Sequence, residues 1–243
     1  MAVIFSQCDD GVLYEVRTAG LSKRLYTNGI LHSQFHPGRI LSGSVWDLLM
    51  LGGFLHPEPL RKVLVLGVGG GTVIRQLLHF FPKAQFTGID LSELHNKLAQ
   101  NYFGLKDKRV KLIRADAAYW LDNTKMGDFD LIIDDVFGEI DGEPDRAIPI
   151  DRCWLRKVRQ KARNSKVVTV HNVLEPKDVS TICSYFRNRS VFRLTTPNCY
   201  NIVVVTAPVM IKTRHLNNRL KMYRELDRGY KTCLLKYRIR QIQ

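Results

Sequence analysis

Cysteine is sparse and unpatterned in this chain of 243 residues. The five cysteines, at 8, 153, 183, 199 and 233, are odd in number, widely separated and without a C-x-x-C pair. That spacing excludes a disulfide framework and a cysteine-held zinc site. The seven histidines are scattered, and none stands at metal-ligand spacing from a second candidate, so no metal is expected. No apolar run approaches membrane-spanning length. The stretch Met1–Asp10 lacks the basic region and apolar core of a signal peptide, so a cytoplasmic protein without membrane insertion is the default expectation. Repeats and low-complexity tracts are absent as well.

Acidic residues are also in short supply, and where they fall is informative. Only 23 Asp and Glu face 37 Lys and Arg, a net charge of +14. Ten of the cations lie between Lys212 and Arg240 against two acids, Glu225 and Asp227. There Leu216, Leu220, Tyr223, Leu226, Tyr230, Leu234 and Tyr237 recur every three to four residues. This is the pattern of a basic amphipathic helix or helix pair, broken near Gly229. Such a tail either docks by its apolar stripe or touches nucleic acid or another polyanion. Conversely, eight acids crowd residues 128–145: Asp128, Asp130, Asp134, Asp135, Glu139, Asp141, Glu143 and Asp145. A local negative potential of this kind attracts a cationic or amine partner.

What is present in strength is a buried strand leading into glycines. Val63-Leu64-Val65-Leu66 suits a central parallel strand covered on both faces, and Val73 to Phe80 has helical spacing. Between them stand Gly67, Gly69, Gly70 and Gly71. The dinucleotide fingerprint G-x-G-x-x-G requires its third glycine at position 72, where Thr72 stands. The G-x-G-x-G spacing favours S-adenosylmethionine (AdoMet) over NAD. Three further β-α units follow. Gln85–Asp90 ends in an acid placed to meet ribose hydroxyls; Val110–Ala117 presents Asp116 beside Ala117, near an adenine amino group; Phe129–Asp135 ends in two acids. Helix capping is the alternative role of Asp116. Ligands of open α/β sheets bind at the carboxyl edge of the strands, where all of these residues fall.

The expected architecture is a Rossmann-like α/β fold with a mostly parallel seven-stranded sheet that closes on a C-terminal antiparallel hairpin. Residues 1–40 form a small β appendage, 41–210 the ligand-binding domain and 211–243 the helical tail. Alternating residues from Val12 to Phe35, interrupted by Gly20, Asn28-Gly29 and Pro37-Gly38, carry the first assignment. Helices are expected over 44–55, 152–162 and 178–187, and strands over 166–171, 191–196 and 200–206. Within this pattern His171 is expected as a hydrogen-bonded structural histidine.

Over residues 25–206 the chain resembles the spermidine synthase (polyamine aminopropyltransferase) family within the class I AdoMet-dependent methyltransferase fold. The resemblance rests on Leu25-Tyr26-Thr27-Asn28-Gly29, Trp46 and Met50, the loop Gly67–Thr72, Asp90, Asp116 and Ile132-Ile133-Asp134-Asp135. It implies AdoMet or decarboxylated AdoMet as the bound ligand, no metal, an amine acceptor and a homodimer. Two departures stand out. Gly70 replaces the loop aspartate of the synthases, and Asp135-Val136-Phe137-Gly138 keeps only the first acid of their D-S-S-D segment. An aspartate at 70 would repel the AdoMet carboxylate, which glycine and neighbouring amides would accept. The expected reaction is therefore methyl transfer to a small-molecule or protein amine. Asp135 would relieve the amine of its proton, and Asp134 would share that task or cap the strand. The alternatives are aminopropyl transfer and a noncatalytic or nucleic-acid-associated nucleoside-binding module. A nucleic-acid methyltransferase is disfavoured because this chain has no N-P-P-Y-like or Pro-Cys segment after the fourth strand, and a NAD dehydrogenase is disfavoured by Thr72 and by the final hairpin.

Overall fold

The computed structural model describes residues 1–140 and 142–243. The chain opens with a four-stranded antiparallel meander: β1 (Ala2–Asp9), β2 (Val12–Ala19), β3 (Ser22–Thr27) and β4 (Ile30–Phe35). Tight turns link it, and Asn28 and Gly29 both take positive φ (48° and 84°), as a two-residue hairpin requires. The alternation that marks the appendage in sequence starts only at Val12, so β1 carries no strand signal. That strand alternates weakly and is exposed along nearly all its length, so it carries no burial signal.

A short helix α1 (Val45–Gly52), buried throughout, and a 3₁₀ turn (Gly53–Leu55) lead into the main domain. There β5 (Lys62–Leu66), α2 (Thr72–Phe80), β6 (Gln85–Asp90), α3 (Glu93–Tyr102), β7 (Val110–Arg114), α4 (Ala117–Asn123) and β8 (Leu131–Asp134) alternate. A hairpin, β9 (Phe137–Ile140) and β10 (Glu143–Arg146), precedes α5 (Arg152–Gln160), β11 (Val168–Val173) and α6 (Pro176–Tyr185). Strands β12 (Ser190–Thr195) and β13 (Ile202–Ala207), helices α7 (Thr213–Leu220) and α8 (Arg224–Lys231), and β14 (Arg238–Gln241) complete the order. The sheet runs β14-β12-β13-β11-β8-β5-β6-β7, parallel from β11 to β7 and antiparallel from β13 outward.

The Rossmann-like class I methyltransferase arrangement is thus as expected, with two corrections. The sheet has eight strands, because the tail ends in β14, which pairs with the β12 edge rather than remaining helical. Free backbone groups on an edge strand reward such pairing, and Arg-Ile-Arg-Gln carries no helical period. The tail also breaks at 221–223, not at Gly229. Gly229 lies inside α8, where an added Cβ would sit 2.4 Å from Leu41 Cδ1, so the position needs glycine.

Docking accounts for much of the tail. Leu216, Leu220, Leu226 and Leu235 enter the core that covers one sheet face. Tyr223 meets the edges of Phe54 and Phe80 at 5.2 and 5.5 Å. Arg219 donates to the Phe54 and Pro57 carbonyls at 2.9 Å each, and to that of His56. A second core, with Trp154, Leu155, Ile182 and Phe186, lies on the opposite face beneath α4, α5 and α6. No helix is long and apolar enough to cross a membrane among the described residues.

Candidate functional site

The carboxyl ends of β5, β6, β7, β8 and β11 open into a cavity of about 1370 Å³, roofed by β2–β4 and the β9–β10 hairpin. Gly67, Gly69, Asp90, Asp116, Ala117 and Asp135 line it, so the main sequence-derived residues do converge. The loop geometry requires its first glycine. Gly67 has φ +82°, and a Cβ there would lie 2.0 Å from the Asp135 carbonyl oxygen. The backbone of the loop and that of the catalytic candidate are therefore in direct contact.

Asp90 is the organiser of this loop. Its Oδ2 accepts from the amides of Val68 (2.8 Å) and Gly69 (2.9 Å), and its Oδ1 from the amide of Ser92 (2.9 Å). His95 Nδ1 also bonds Oδ1 at 3.2 Å, while His95 Nε2 meets Thr27 Oγ1 at 2.9 Å. Although burial opposes its charge, the facing His95 and these donors hold the carboxyl below the ordinary carboxylate range. Next to it on the wall, His32 is pushed down to about 4, first by burial and then by His95, and is neutral.

Gly70 and Gly71 belong to the loop but not to the cavity lining. The Gly70 amide donates to Ser33 Oγ at 2.7 Å, and the Gly71 amide to the Val68 carbonyl at 2.8 Å. Together with the Asp90 bonds, this engages every amide from Val68 to Gly71. The expected reason for preferring AdoMet, free loop amides awaiting its carboxylate, is thereby removed. An aspartate cannot enter the same position either, since a Cβ on Gly70 would meet Ser33 Cβ at 2.7 Å.

The two acids after β8 part company. Asp134 points away from the cavity and is fully buried. Arg146 Nη2 donates to both its oxygens (3.0 and 3.1 Å), Trp154 Nε1 donates at 2.8 Å, and His171 Nδ1 meets it at 3.0 Å. Arg146, His171 and Trp154 outweigh the burial cost and keep Asp134 far below the usual carboxylate range. It is a structural anion that does not line the cavity, so the structure does not bring it together with Asp135 as the second acid expected there. His171 continues the chain through Thr169 Oγ1 (3.0 Å) to Thr206 Oγ1 (2.9 Å), the structural role expected of it.

Asp135 does face the cavity. Asn172 Nδ2 donates to its Oδ1 at 2.7 Å, and Asn201 Nδ2 orients Asn172 by bonding Oδ1 at 3.0 Å. Burial pushes the Asp135 carboxyl up to about 7; the Asn172 bond opposes this, and the neighbouring Asp134 and Asp90 charges add to it. A carboxylate titrating near neutrality is matched to accepting a proton. Asn172, Asn201, Ser33 and His32 were not singled out from sequence. Asn172 was findable as the residue after His171 at the carboxyl edge, but Ser33 and His32 sit on the appendage and have no local motif.

Asp116 caps α4, its Oδ1 accepting from the Tyr119 amide at 2.7 Å, while also reaching the cavity beside Ala117. The acidic stretch is divided similarly. Asp130 binds the amides of Arg61 and Lys62 (2.8 and 3.0 Å), and Glu139 lines the cavity and accepts from Asn28 Nδ2 at 2.7 Å. Asp141 lies outside the described residues. Acids absent from that stretch, Asp9, Asp10 and Glu93, complete the rim. The two lining cations, Lys97 and Arg114, are both paired to Glu93 at 2.9 and 3.4 Å, which leaves the wall net negative.

The donor set suits an adenosyl sulfonium: apolar Val68, Ile89 and Val136 for a flat ring, acids at the strand ends and a negative wall. Comparisons with known proteins bear on the fold. Residues 63–157 match the family model described as a methyltransferase domain. Over 97 residues the chain is 34% identical to polyamine aminopropyltransferase 2 of Caldanaerobacter subterraneus subsp. tengcongensis, covering 39% of this chain and 32% of that protein. Over 172 residues it is 26% identical to a probable polyamine aminopropyl transferase of Bifidobacterium longum, covering 66% and 36%. The matched segments span about a third of the length of these relatives. Among solved structures, a probable spermidine synthase from Corynebacterium glutamicum superposes with a TM-score of 0.76 at 14% identity, over 99% of this chain and 91% of that one. Human methyltransferase-like protein 13 in complex with SAH gives 0.58 at 18% identity, over 77% and 90%. Residues 63–157 thus match a methyltransferase domain, and the chain as a whole has the class I AdoMet-dependent methyltransferase fold, which it shares with the spermidine synthase structure.

Proposed function

We propose that this chain is an aminopropyltransferase, using decarboxylated AdoMet as donor and an amine as acceptor. The observation that carries the reading is the engagement of every loop amide from Val68 to Gly71. No loop donor remains for the carboxylate that distinguishes AdoMet from its decarboxylated form, and the relatives named as aminopropyltransferases favour the same choice. Methyl transfer, the first expectation from sequence, loses its physical support with those amides.

When bound, the donor supplies a carbon made electrophilic by its sulfonium, open to in-line displacement. Asp90 and Asp116 flank the nucleoside site, and the glycine loop provides close backbone approach. The negative rim gathers a cationic acceptor. Asp135, oriented by Asn172 and titrating near 7, takes the proton that otherwise blocks the amine lone pair. Calorimetric titration with decarboxylated AdoMet and with AdoMet tests the choice of donor. The decarboxylated compound is expected to bind at least about tenfold tighter, some 1.4 kcal/mol. Tighter binding of AdoMet, with methyl transfer to an amine, would overturn it.

A further inference from the structure

A second cavity, about 690 Å³, lies away from the sheet's carboxyl edge, between the ends of α5 and α6. Arg152, Arg159, Arg187 and Arg189 line it together with Tyr185, and no carboxylate does. None of the four arginines forms an ion pair among the described residues, although Lys157, Arg163 and Lys166 nearby all do. Arg189 is tied to the carbonyls of Ser165 (2.8 Å) and Val167, leaving its Nε buried without a partner. Burial and then the Arg159 charge lower its pKa to about 10. Like charges have been brought together here with nothing to offset them.

The same face continues the pattern at the sheet edge. Val191 and Ile242 pack into the core under α5 and α6, whereas Phe192, Leu194 and Ile239 pack on the other side. Strand side chains alternate, so Arg193, Arg238 and Arg240 all stand on the face that α5 and α6 cover. All three are exposed, and Arg193 lies directly opposite Arg240 across the β12–β14 ladder. Directly opposed like charges weaken a strand pair. The helix C-terminus accounts for Arg159, but not for Arg187, Arg193 or Arg240.

We infer that this arginine-lined face, from the α5–α6 cavity to the β12–β14 edge, is a docking surface for the phosphodiester backbone of single-stranded nucleic acid. The spaced, unpaired guanidinium groups match a repeating anion, and Tyr185 offers a ring for base stacking. This moves the polyanion contact expected of the C-terminal tail. The α7–α8 helices dock on the opposite face, and only β14 contributes.

Anisotropy of a fluorescent oligouridylate with the full chain tests the inference. Four to five phosphate contacts give a log–log salt slope of about −3, so affinity falls about 60-fold from 50 to 200 mM salt. The exposed pair Arg187→Ala/Arg240→Ala lowers that fall to about ninefold. The equally charged control Lys221→Ala/Arg224→Ala, on the tail helices, leaves it unchanged. No salt-dependent binding by the wild-type chain overturns the inference without recourse to any variant. Equal losses in both pairs overturn the location, and binding of phosphatidylserine vesicles or tripolyphosphate without the oligonucleotide overturns the ligand.

Discussion

Replacing Asp135 with asparagine is expected to stabilise the protein above neutral pH while removing its activity. The native carboxyl titrates at about 7 against an ordinary value of 3.8, so the folded state holds its proton where the unfolded chain has released it. Stability therefore falls as pH rises from about 4 to about 7, because the folded state binds more protons throughout that window. The full shift corresponds to ~4 kcal/mol, and solvent in the open cavity reduces this to ~2 kcal/mol. Asparagine keeps an oxygen for the Asn172 amide at 2.7 Å and carries no charge to repel Asp134. At pH 8 the variant should melt ~4–8 °C above the wild type, for a chain of this size. At pH 5, where the unfolded carboxyl has released its proton over only about one of the three pH units, the gain should shrink to roughly a third. Turnover should fall by ~10²–10⁴, the usual worth of a positioned proton acceptor. Scanning calorimetry at the two pH values, paired with an amine-transfer assay, reads both effects. A variant that melts lower at pH 8, gains equally at both pH values or retains turnover would refute the reasoning.

Two further substitutions test the surroundings. Arg146→Ala leaves Asp134 buried with only Trp154 and His171 as partners and frees the Asn172 carbonyl, which Arg146 Nη1 binds at 2.6 Å. Urea denaturation should show a loss of ~3 kcal/mol, and an unchanged midpoint would contradict the structural role given to Asp134. Gly70→Asp forces a side chain against Ser33 and buries a carboxylate, so it should destabilise by ~2–4 kcal/mol and not improve binding of the decarboxylated donor. Adding Ser33→Gly should recover at least half of that loss; equal melting of the single and double variants would show that Ser33 is not the obstacle.

Most of the parallel sheet was legible in sequence because its signals are local. Val63–Leu66 is apolar without alternation, as a strand covered on both faces must be, and Asp90, Asp116 and Asp135 close their strands at the expected edge. What sequence could not resolve depends on side-chain direction and on distant partners. Asp134 and Asp135 are neighbours of the same residue type, yet alternation along an extended strand sends one into the Arg146–His171 network and the other to the cavity. Arg146 marked only the end of an acidic stretch until folding brought it onto Asp134. Ser33 lies 37 residues from Gly70, and β14 owes its conformation to the free edge of β12 rather than to its own period. The resemblance to synthases pointed to the loop at the sheet's carboxyl edge. The expectation about its charge preference assumed free amides, and amide availability is a property of the folded loop.

The bond from Gly70 to Ser33 has a mechanical consequence. Two more bonds join the same regions, from the Gln34 amide to Thr72 Oγ1 at 3.0 Å and from that hydroxyl to the Gln34 carbonyl at 2.9 Å. The N-terminal meander and the start of α2 are thus riveted beside the glycine loop. A roof fastened there cannot swing open as a flap hinged at the loop. A ligand entering the cavity would then pass at the rim away from these bonds, near the β1–β2 turn.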